Sequence, residues 1–321
     1  MLKSFTRRHA LVAAAGLATV IAAPAIAAPK ENLILGAANS TSSHYALGVA
    51  MTKALQANMP KANLTLLETG GGLDNLRRLQ RGEIDLAQIG FDSGVNAVKG
   101  EAEFAGRAIP DVVVVYPYGV SFQNIVVRKD SGITKLEDLD GKRFTPGIRG
   151  SSAEALMRNV FNTLGIKPTL VPGTLADGTE GVQNRQLVGM AISTAGPVMT
   201  AAVRELNVTT ELLALDLTAA HKAKIDGKFN GIEVLPIPPS ASPGGVKVNG
   251  LAWRNVYVTR TGVMDDDTAY AVAKAIFENR RFLIDSWPAL SDFDFKGMAL
   301  SAEQAGLKLH PGAKRFWESA K

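Results

Sequence analysis

TGGGLDNL, at Thr69–Leu76, and GEIDLA, at Gly82–Ala87, join a glycine-rich turn, a short amphipathic helix and a buried strand. Three consecutive glycines, Gly70–Gly72, allow the backbone to adopt positive φ and to approach another molecule closely. The helix that they open directs its free N–H groups and the positive end of its dipole towards the same place. This stretch therefore predicts a cradle for a small, oxygen-rich and usually anionic ligand.

Two further strand-to-helix junctions carry polar and flexible residues. One, Asn39–Tyr45, follows the apolar run Leu33–Leu35, and the other, Gly147–Glu154, opens a helix that is apolar at Leu156 and Phe161. In an open α/β sheet such loops gather at the carboxyl ends of the strands, where ligands bind. Neither Gly-x4-Gly-Lys-Ser/Thr nor Gly-x-Gly-x-x-Gly occurs at these junctions, which argues against a nucleotide as the ligand.

The N-terminal segment has the pattern of a bacterial secretory leader. Basic residues come first, an apolar and alanine-rich run follows over residues 10–23, and the small residues Ala25–Ala27 end it. The run is too short and too weakly apolar for a stable membrane span, so we expect cleavage after Ala27. Thr6–Leu11 is similar to a twin-arginine export motif, and both Sec and Tat export remain open. Without cysteine there is neither a lipid anchor nor a disulfide, which predicts a free periplasmic protein.

The basic character of the chain comes largely from this leader. The whole sequence has a formal net charge of +5, and removal of Lys3, Arg7 and Arg8 with the leader leaves +2 over 294 residues. No basic stripe interleaved with aromatic residues remains, so nucleic acid and anionic membrane are not expected partners. A chain of this length predicts two domains.

Strand and helix patterns alternate from Leu33 to Ala87, as is typical of a parallel sheet covered by helices. Two apolar, β-branched runs follow at Val112–Tyr116 and Ile125–Arg128, and a second alternating series begins after them. A Pro-, Gly- and Ser-rich passage over residues 236–250 predicts a long irregular loop, either a linker or a lid. The strand Asn255–Val258 and the helix after it then return to the first unit. Two lobes joined by crossing strands form a hinged clamshell.

The lobe boundaries follow from this organisation. Residues 1–27 are the expected signal peptide, residues 28–124 and 248–321 form lobe I, and residues 125–247 form lobe II.

The mature sequence resembles the TAXI family, the extracytoplasmic solute receptors of TRAP transporters. The similarity is carried by Gly71-Gly72-x-x-Asn75-Leu76 with Gly82–Ala87, by Leu136–Arg143, by Gly150-Ser151 and by His310–Ala313. It implies an α/β fold of the two-lobed, type II periplasmic-binding-protein kind, in which each lobe is a mostly parallel sheet with flanking helices. It also implies delivery of a small organic acid, typically a carboxylate, to the membrane subunits of a TRAP symporter, with no cofactor and no catalysis.

The resemblance places the ligand in the cleft between the lobes. The residues that it implies are Ser40, Thr41, Ser43, His44, Tyr45, Gly72, Asn75, Phe91 and Asp92 from lobe I, and Arg149, Gly150, Ser151, Ser152, Ala195, Gly196 and Pro197 from lobe II.

Three departures from the family pattern change the expected ligand. Gly72 stands where the family commonly has Ser, Gly90-Phe91 where it commonly has Gln-Ser, and His44 where an aromatic hydroxyl is frequent. These changes predict a larger and partly apolar site for a bulkier carboxylate, whose carboxyl group meets Arg149 and the helix N-termini around Ser151. The alternative for Arg149 is an exposed side chain or an ion pair with an acid.

Other functional classes are less well supported by the residues. His44, His221 and His310 lack metal-ligand spacing, and the chain has neither a Gly-x-Ser-x-Gly elbow nor a cysteine nucleophile, so we predict neither a metal site nor an enzyme. Asp265–Asp267 is interpreted as a helix start rather than a calcium site. The alternatives to a TRAP receptor are a binding protein of an ABC importer for sulfonates or aromatic acids and a periplasmic sensor subunit. We expect a monomer in each case.

Overall fold

The computed structural model describes residues 32–196 and 198–321, so the predicted signal peptide and Pro197 lie outside the described residues. The strands are β1 Asn32–Gly36, β2 Asn63–Leu67, β3 Leu86–Gly90, β4 Val112–Arg128, β5 Arg143–Thr145, β6 Thr169–Leu170, β7 Gly189–Ala195, β8 Leu212–Ala214, β9 Ile232–Pro236 and β10 Asn249–Arg260.

The α-helices cover both faces of the sheet that these strands form. They are α1 Ser43–Asn58, α2 Gly72–Gln80, α3 Phe91–Lys99, α4 Ser152–Leu164, α5 Leu175–Gln183, α6 Ala201–Thr209, α7 Ala219–Ile225, α8 Asp266–Glu278, α9 Arg280–Ser286, α10 Phe295–Leu300 and α11 Pro311–Ser319. Among the described residues, no helix combines the length and apolar character that crossing a membrane requires.

The strands form one mixed sheet. Eight of them follow the order β2-β1-β3-β10-β4-β7-β5-β6, while β8 pairs with β4 and β9 with β10. β1, β2 and β3 are parallel in lobe I, as are β5, β6 and β7 in lobe II. The long strands β4 and β10 run antiparallel to their neighbours and pass from one lobe to the other. This arrangement confirms two α/β lobes joined by crossing strands.

Each lobe has its own hydrophobic core. In lobe I the helices α1, α2, α3, α8 and α11 bury residues such as Leu35, Leu76 and Trp317 against β1, β3 and β4. In lobe II, α4 packs Phe161 on Phe144 of β5, and α6 covers the opposite face of the sheet with Val203. Two separate cores joined by two strands are what a hinged pair of lobes requires.

Two details of the predicted organisation differ in the structure. The runs Val112–Tyr116 and Ile125–Arg128 belong to one strand, β4, because the polar residues between them are paired on both sides, for example Ser121 with Trp253 of β10. The passage 236–250 joins β9 to β10, which pair with each other, and its Ala241 carbonyl accepts a hydrogen bond from Asn124 Nδ2 at 3.2 Å. The exact lobe boundaries remain a prediction.

Candidate functional site

A cavity lies between the lobes, at the carboxyl ends of β1, β2 and β3. Its volume is about 90 Å³, well above what one ordered water needs. The described residues that line it include neither Lys, Arg, Asp nor Glu. A ligand in this cavity therefore contacts dipoles, hydroxyl and amide groups and apolar surface rather than a charged side chain.

The first turns of α2 and α4 face each other across this cavity. A Cβ placed on Gly72 would lie 2.1 Å from Ser152 Oγ, and one placed on Gly71 would lie 3.2 Å from Ser151 Cβ. Gly71 has a φ of 97°, which confirms the positive φ predicted for the glycine run. The lobes are thus closed, with two positive helix ends and their first-turn N–H groups directed at one space.

His44, in the first turn of α1, forms one wall of the cavity. Its Nε2 lies 3.4 Å from both Ser193 Oγ and Ser121 Oγ, and its Nδ1 lies 3.5 Å from Tyr118 Oη. Burial lowers the pKa of His44 to about 4. The ring is therefore neutral at neutral pH, where one nitrogen donates and the other accepts a hydrogen bond.

The strands supply a set of uncharged polar side chains, all but Ser193 buried, that no loop motif indicated. We call this set the polar floor, and its members are Gln88 on β3, Gln123 on β4, Ser193 on β7 and Asn255 on β10. In the sequence, these residues could have been recognised as polar residues within otherwise apolar strands, because a buried polar side chain needs a hydrogen-bond partner.

Of the implied site residues that the structure describes, four line the cavity: His44, Gly72, Ser151 and Ser152. Ser151 is also the N-cap of α4, where its Oγ accepts from Glu154 N at 3.1 Å. The sequence therefore predicted both helix ends that border this cavity, and their contact with a ligand stays a prediction.

Three implied residues of the loop before α1 and its first turn lie outside the cavity lining. Ser40 donates from its backbone N and from its Oγ to Glu68 Oε1, at 2.8 and 2.9 Å. Thr41 donates to Asn39 Oδ1, and the Tyr45 backbone N–H donates to the N-cap of α1. These hydrogen bonds shape the loop itself.

Ser43 and Ala195 hold the lobes together. The Ala195 N–H donates to Ser43 Oγ at 3.0 Å, and the Ala195 carbonyl accepts from Trp287 Nε1 at 2.7 Å. Gly196 follows with a φ of 106° and, like Ala195, does not line the cavity, whereas Pro197 lies outside the described residues. The structure thus gives Ser43 and Ala195 a contact between lobes.

Asn75 is fully buried behind the site rather than in it. Its Nδ2 donates to the carbonyls of Ala37 and Gln88, at 2.6 and 2.8 Å. Ala37 directly follows β1 and Gln88 lies within β3, so one side chain fixes α2 to both strands. Asn75 positions the glycine turn without lining the cavity.

We predict that Asn75→Ala lowers the free energy of unfolding by about 1–3 kcal/mol, because it leaves two buried carbonyls without this donor. Denaturant unfolding measures the effect. Asn63→Ala, at an exposed position on β2, is the matched control and should change stability little. Equal stability of the two variants would contradict the bridging role.

Phe91 and Asp92 lie at the start of α3, away from the cavity lining. Phe91 belongs to the core of lobe I and is 3% exposed. Asp92 lines a second space between the lobes, where Asn159 of α4 donates to Glu103 at 3.0 Å. Burial raises the pKa of Asp92 to about 7; hydrogen bonds from Ser93 oppose this shift, and the charge of Glu103 adds to it.

Arg149 is exposed and does not line the cavity. Its Nη2 donates to the Pro172 carbonyl at 2.9 Å. The neighbouring Gly150 N–H donates to Glu154 Oε2 at 3.0 Å, and Glu154 also pairs with Arg158. Arg149 thus lies in the exposed position that was the alternative to a contact with the ligand carboxylate.

Known proteins share this fold. A protein of Bordetella bronchiseptica RB50 superposes with a TM-score of 0.54 at 13% identity, over 90% of this chain and 98% of that one. The periplasmic aliphatic sulphonate binding protein SsuA of Escherichia coli gives 0.47 at 17% identity, over 91% and 98%. The alkanesulfonate-binding protein SsuA of Xanthomonas axonopodis pv. citri, bound to MOPS, gives 0.46 at 18% identity, over 91% and 85%.

The two lobes, each an α/β layer, with a cavity between them have the architecture of the periplasmic-binding-protein fold. The chain belongs to the NMT1-like family, whose sequence profile matches residues 35–320.

Proposed function

We propose that this protein is a periplasmic receptor that captures a small organic acid between its lobes and delivers it to a membrane transporter. The proposal rests chiefly on the facing first turns of α2 and α4, where Gly72 and Ser152 are close enough that a Cβ would not fit between them. Two helix N-termini that border one cavity favour a negatively charged group in the part of the cavity next to them.

The charge of the site limits the charge of the ligand. The described lining has no basic side chain, and His44 is neutral. The main source of positive potential in the cavity is therefore the partial charge at the two helix N-termini. Ser152 Oγ is buried, lines the cavity and has no hydrogen-bond partner among the described residues. A single carboxylate would accept hydrogen bonds from this hydroxyl and from the first-turn N–H groups.

For the membrane partner we propose a solute transporter and keep two classes of transporter as candidates. The same fold serves more than one transport system, so the fold does not separate an ABC importer from a TRAP symporter. None of the three solved proteins named above is described as a TRAP receptor. We therefore place an ABC importer for an organic carboxylate or sulfonate beside the TRAP symporter. Uptake assays with each transporter deleted in turn distinguish these partners. Uptake assays in a strain that lacks this receptor distinguish transport from sensing, because loss of a sensor leaves uptake of the ligand unchanged.

A thermal-shift panel tests capture of an organic acid. The panel contains butyrate, succinate, glutarate and adipate, the monoamides of the three diacids, benzoate, and propanesulfonate as the alternative anion. A ligand at 100 times its Kd adds about 2.7 kcal/mol to the free energy of unfolding, which is a readily measured rise in melting temperature. If no acid of the panel raises the melting temperature, the proposal is wrong.

Arg149→Ala tests whether the ligand carboxylate is bound by the helix N-termini or by the Arg149 guanidinium. We expect the affinity for the best acid of the panel to change less than about twofold, because Arg149 is exposed and hydrogen-bonded to Pro172. Ser152→Ala should weaken binding by about tenfold, the worth of one hydrogen bond to a charged group. Isothermal titration measures both. A loss of tenfold or more for Arg149→Ala would establish a direct contact that this closed arrangement lacks.

A further inference from the structure

Several buried polar side chains around the cavity have at least one atom without a hydrogen-bond partner among the described residues. Each of these side chains is more than nine-tenths buried, and each lines the cavity. They are Gln88, Gln123, Ser152, Thr200 and Asn255. Buried polar atoms in native proteins are nearly all paired, so such a concentration indicates where a ligand supplies the missing partners.

Gln123 is the most informative of these residues. It lies in the middle of β4, between Ser193 of β7 and Leu251 of β10, and its side chain is completely buried. Both Nε2 and Oε1 lack a partner among the described residues. Leaving a buried amide donor and a buried amide acceptor unsatisfied costs stability, because both groups lose their hydrogen bonds to water without replacement.

The partial pairing of the neighbours adds to this pattern. Gln88 uses its Nε2 to donate to the His44 carbonyl at 3.2 Å, which leaves its Oε1 as an acceptor. Asn255 uses its Nδ2 to donate to Ser121 Oγ at 2.7 Å, which likewise leaves its Oδ1 as an acceptor. Around Gln123 the polar floor therefore offers more free acceptors than free donors.

We propose that the ligand carries, besides the carboxylate of the proposed function on which this inference rests, an uncharged group that both donates and accepts hydrogen bonds to Gln123. A primary amide or a hydroxyl meets this requirement. A second carboxylate only accepts, so it would satisfy Nε2 but would face the lone pairs of Oε1 and of the acceptors on Gln88 and Asn255.

Charge supports the same ligand class. A second negative group would be removed from water into a cavity whose described lining has no basic side chain. Burying a charge without a partner costs far more than burying a neutral amide. The site should therefore select a monoanion with a neutral polar end over a dicarboxylate of the same length.

Matched pairs of acids test this selectivity at pH 7.5, where both carboxyl groups of a diacid are ionised. We expect the monoamide of succinate, glutarate or adipate to bind at least about tenfold more tightly than its parent diacid in isothermal titration, because a site built for hydrogen bonding rejects analogues that leave its polar groups unpaired. A diacid that binds as tightly as its monoamide, or a monoamide no better than butyrate, overturns the inference but leaves the receptor function intact. Failure of every acid overturns the receptor function as well.

Gln123→Leu distinguishes a role of Gln123 in ligand selectivity from a role in the stability of the fold. The substitution keeps similar volume and removes the two unpaired polar atoms, so we expect the unliganded variant to be at least as stable as the wild type. The preference for the monoamide over the diacid should fall to within about twofold. Gln186→Leu, at an exposed position outside the cavity, should keep the preference. Loss of stability together with unchanged selectivity in Gln123→Leu would show that Gln123 serves the fold and not the ligand.

Discussion

Gly72→Ala is expected to lower affinity for the best acid of the panel by about 5- to 150-fold while the protein remains folded. The added methyl group would lie 2.1 Å from Ser152 Oγ and 3.3 Å from Ser152 Cβ in the closed arrangement. Overpacking of this kind costs about 1–3 kcal/mol, which corresponds to that range of affinity. Gly72 opens α2 without positive φ, so alanine suits the helix itself. Gly72→Val, which is larger and β-branched, should bind more weakly still.

A second substitution on the opposite lobe tests whether contact between lobes causes this loss. Ser152→Gly removes both atoms that the new methyl group would meet, so the Gly72→Ala/Ser152→Gly protein should bind about as well as Ser152→Gly alone. Isothermal titration of the four proteins completes the cycle. Additive losses would mean that the methyl group acts on the ligand and not on closure.

Asp92→Asn is expected to stabilise the protein at neutral and alkaline pH and to have little effect near pH 4. The pKa of Asp92 is raised by burial to about 7, so the folded state binds a proton that the unfolded state has released above pH 3.8. The wild type therefore loses stability as pH rises through this range. This loss of stability is complete above pH 7 and amounts to roughly 4 kcal/mol. The uncharged amide of Asn at position 92 does not ionise, so the variant does not lose this stability.

Denaturant unfolding of the unliganded protein at pH 4 to 8 measures this difference. Lys228, Glu101 and Glu103 line the same space as Asp92 and are retained in both proteins, so the comparison isolates the carboxyl group of Asp92. Asp292→Asn, at an exposed position, is the control and should change stability little. A constant difference for Asp92→Asn would contradict the buried, protonated carboxyl group.

His44 acts on stability with the opposite sign. Its pKa is lowered to about 4, so the folded state resists protonation and stability is lost as pH falls from 6.5 towards 4. Ionisation of Asp92 lowers the stability of the protein as pH rises over nearly the same interval. The two effects therefore partly cancel in the wild type. Asp92→Asn should therefore reveal acid lability that the wild type conceals.

The sequence predicted the parts of the site that depend on local chemistry. Gly71 and Ser151 open α2 and α4, and a positive φ at the former and a capping hydroxyl at the latter are properties of the residues themselves. The alternating patterns likewise gave two α/β lobes. These features need no information about distant contacts.

The polar floor could not be located in this way, because its members meet only through pairing between strands far apart in the chain. Gln123 lies beside Ser193 through the β4–β7 register, and Asn255 joins them from β10. The expected role of Asn75 differs for the same reason: its amide is used by carbonyls of β1 and β3 that approach only in the folded sheet. Arg149 carries the right chemistry, but its side chain is turned to Pro172.

Small-angle X-ray scattering of the wild-type protein, with and without a saturating concentration of the best acid of the panel, tests closure around a ligand most directly. The two lobes are connected by β4 and β10 and meet at Gly72 and Ser152, so binding is expected to reduce the radius of gyration. Gly72→Val should show no such reduction at the same ligand concentration. An unchanged radius of gyration in a wild-type sample that titration proves to be saturated would contradict capture by lobe closure.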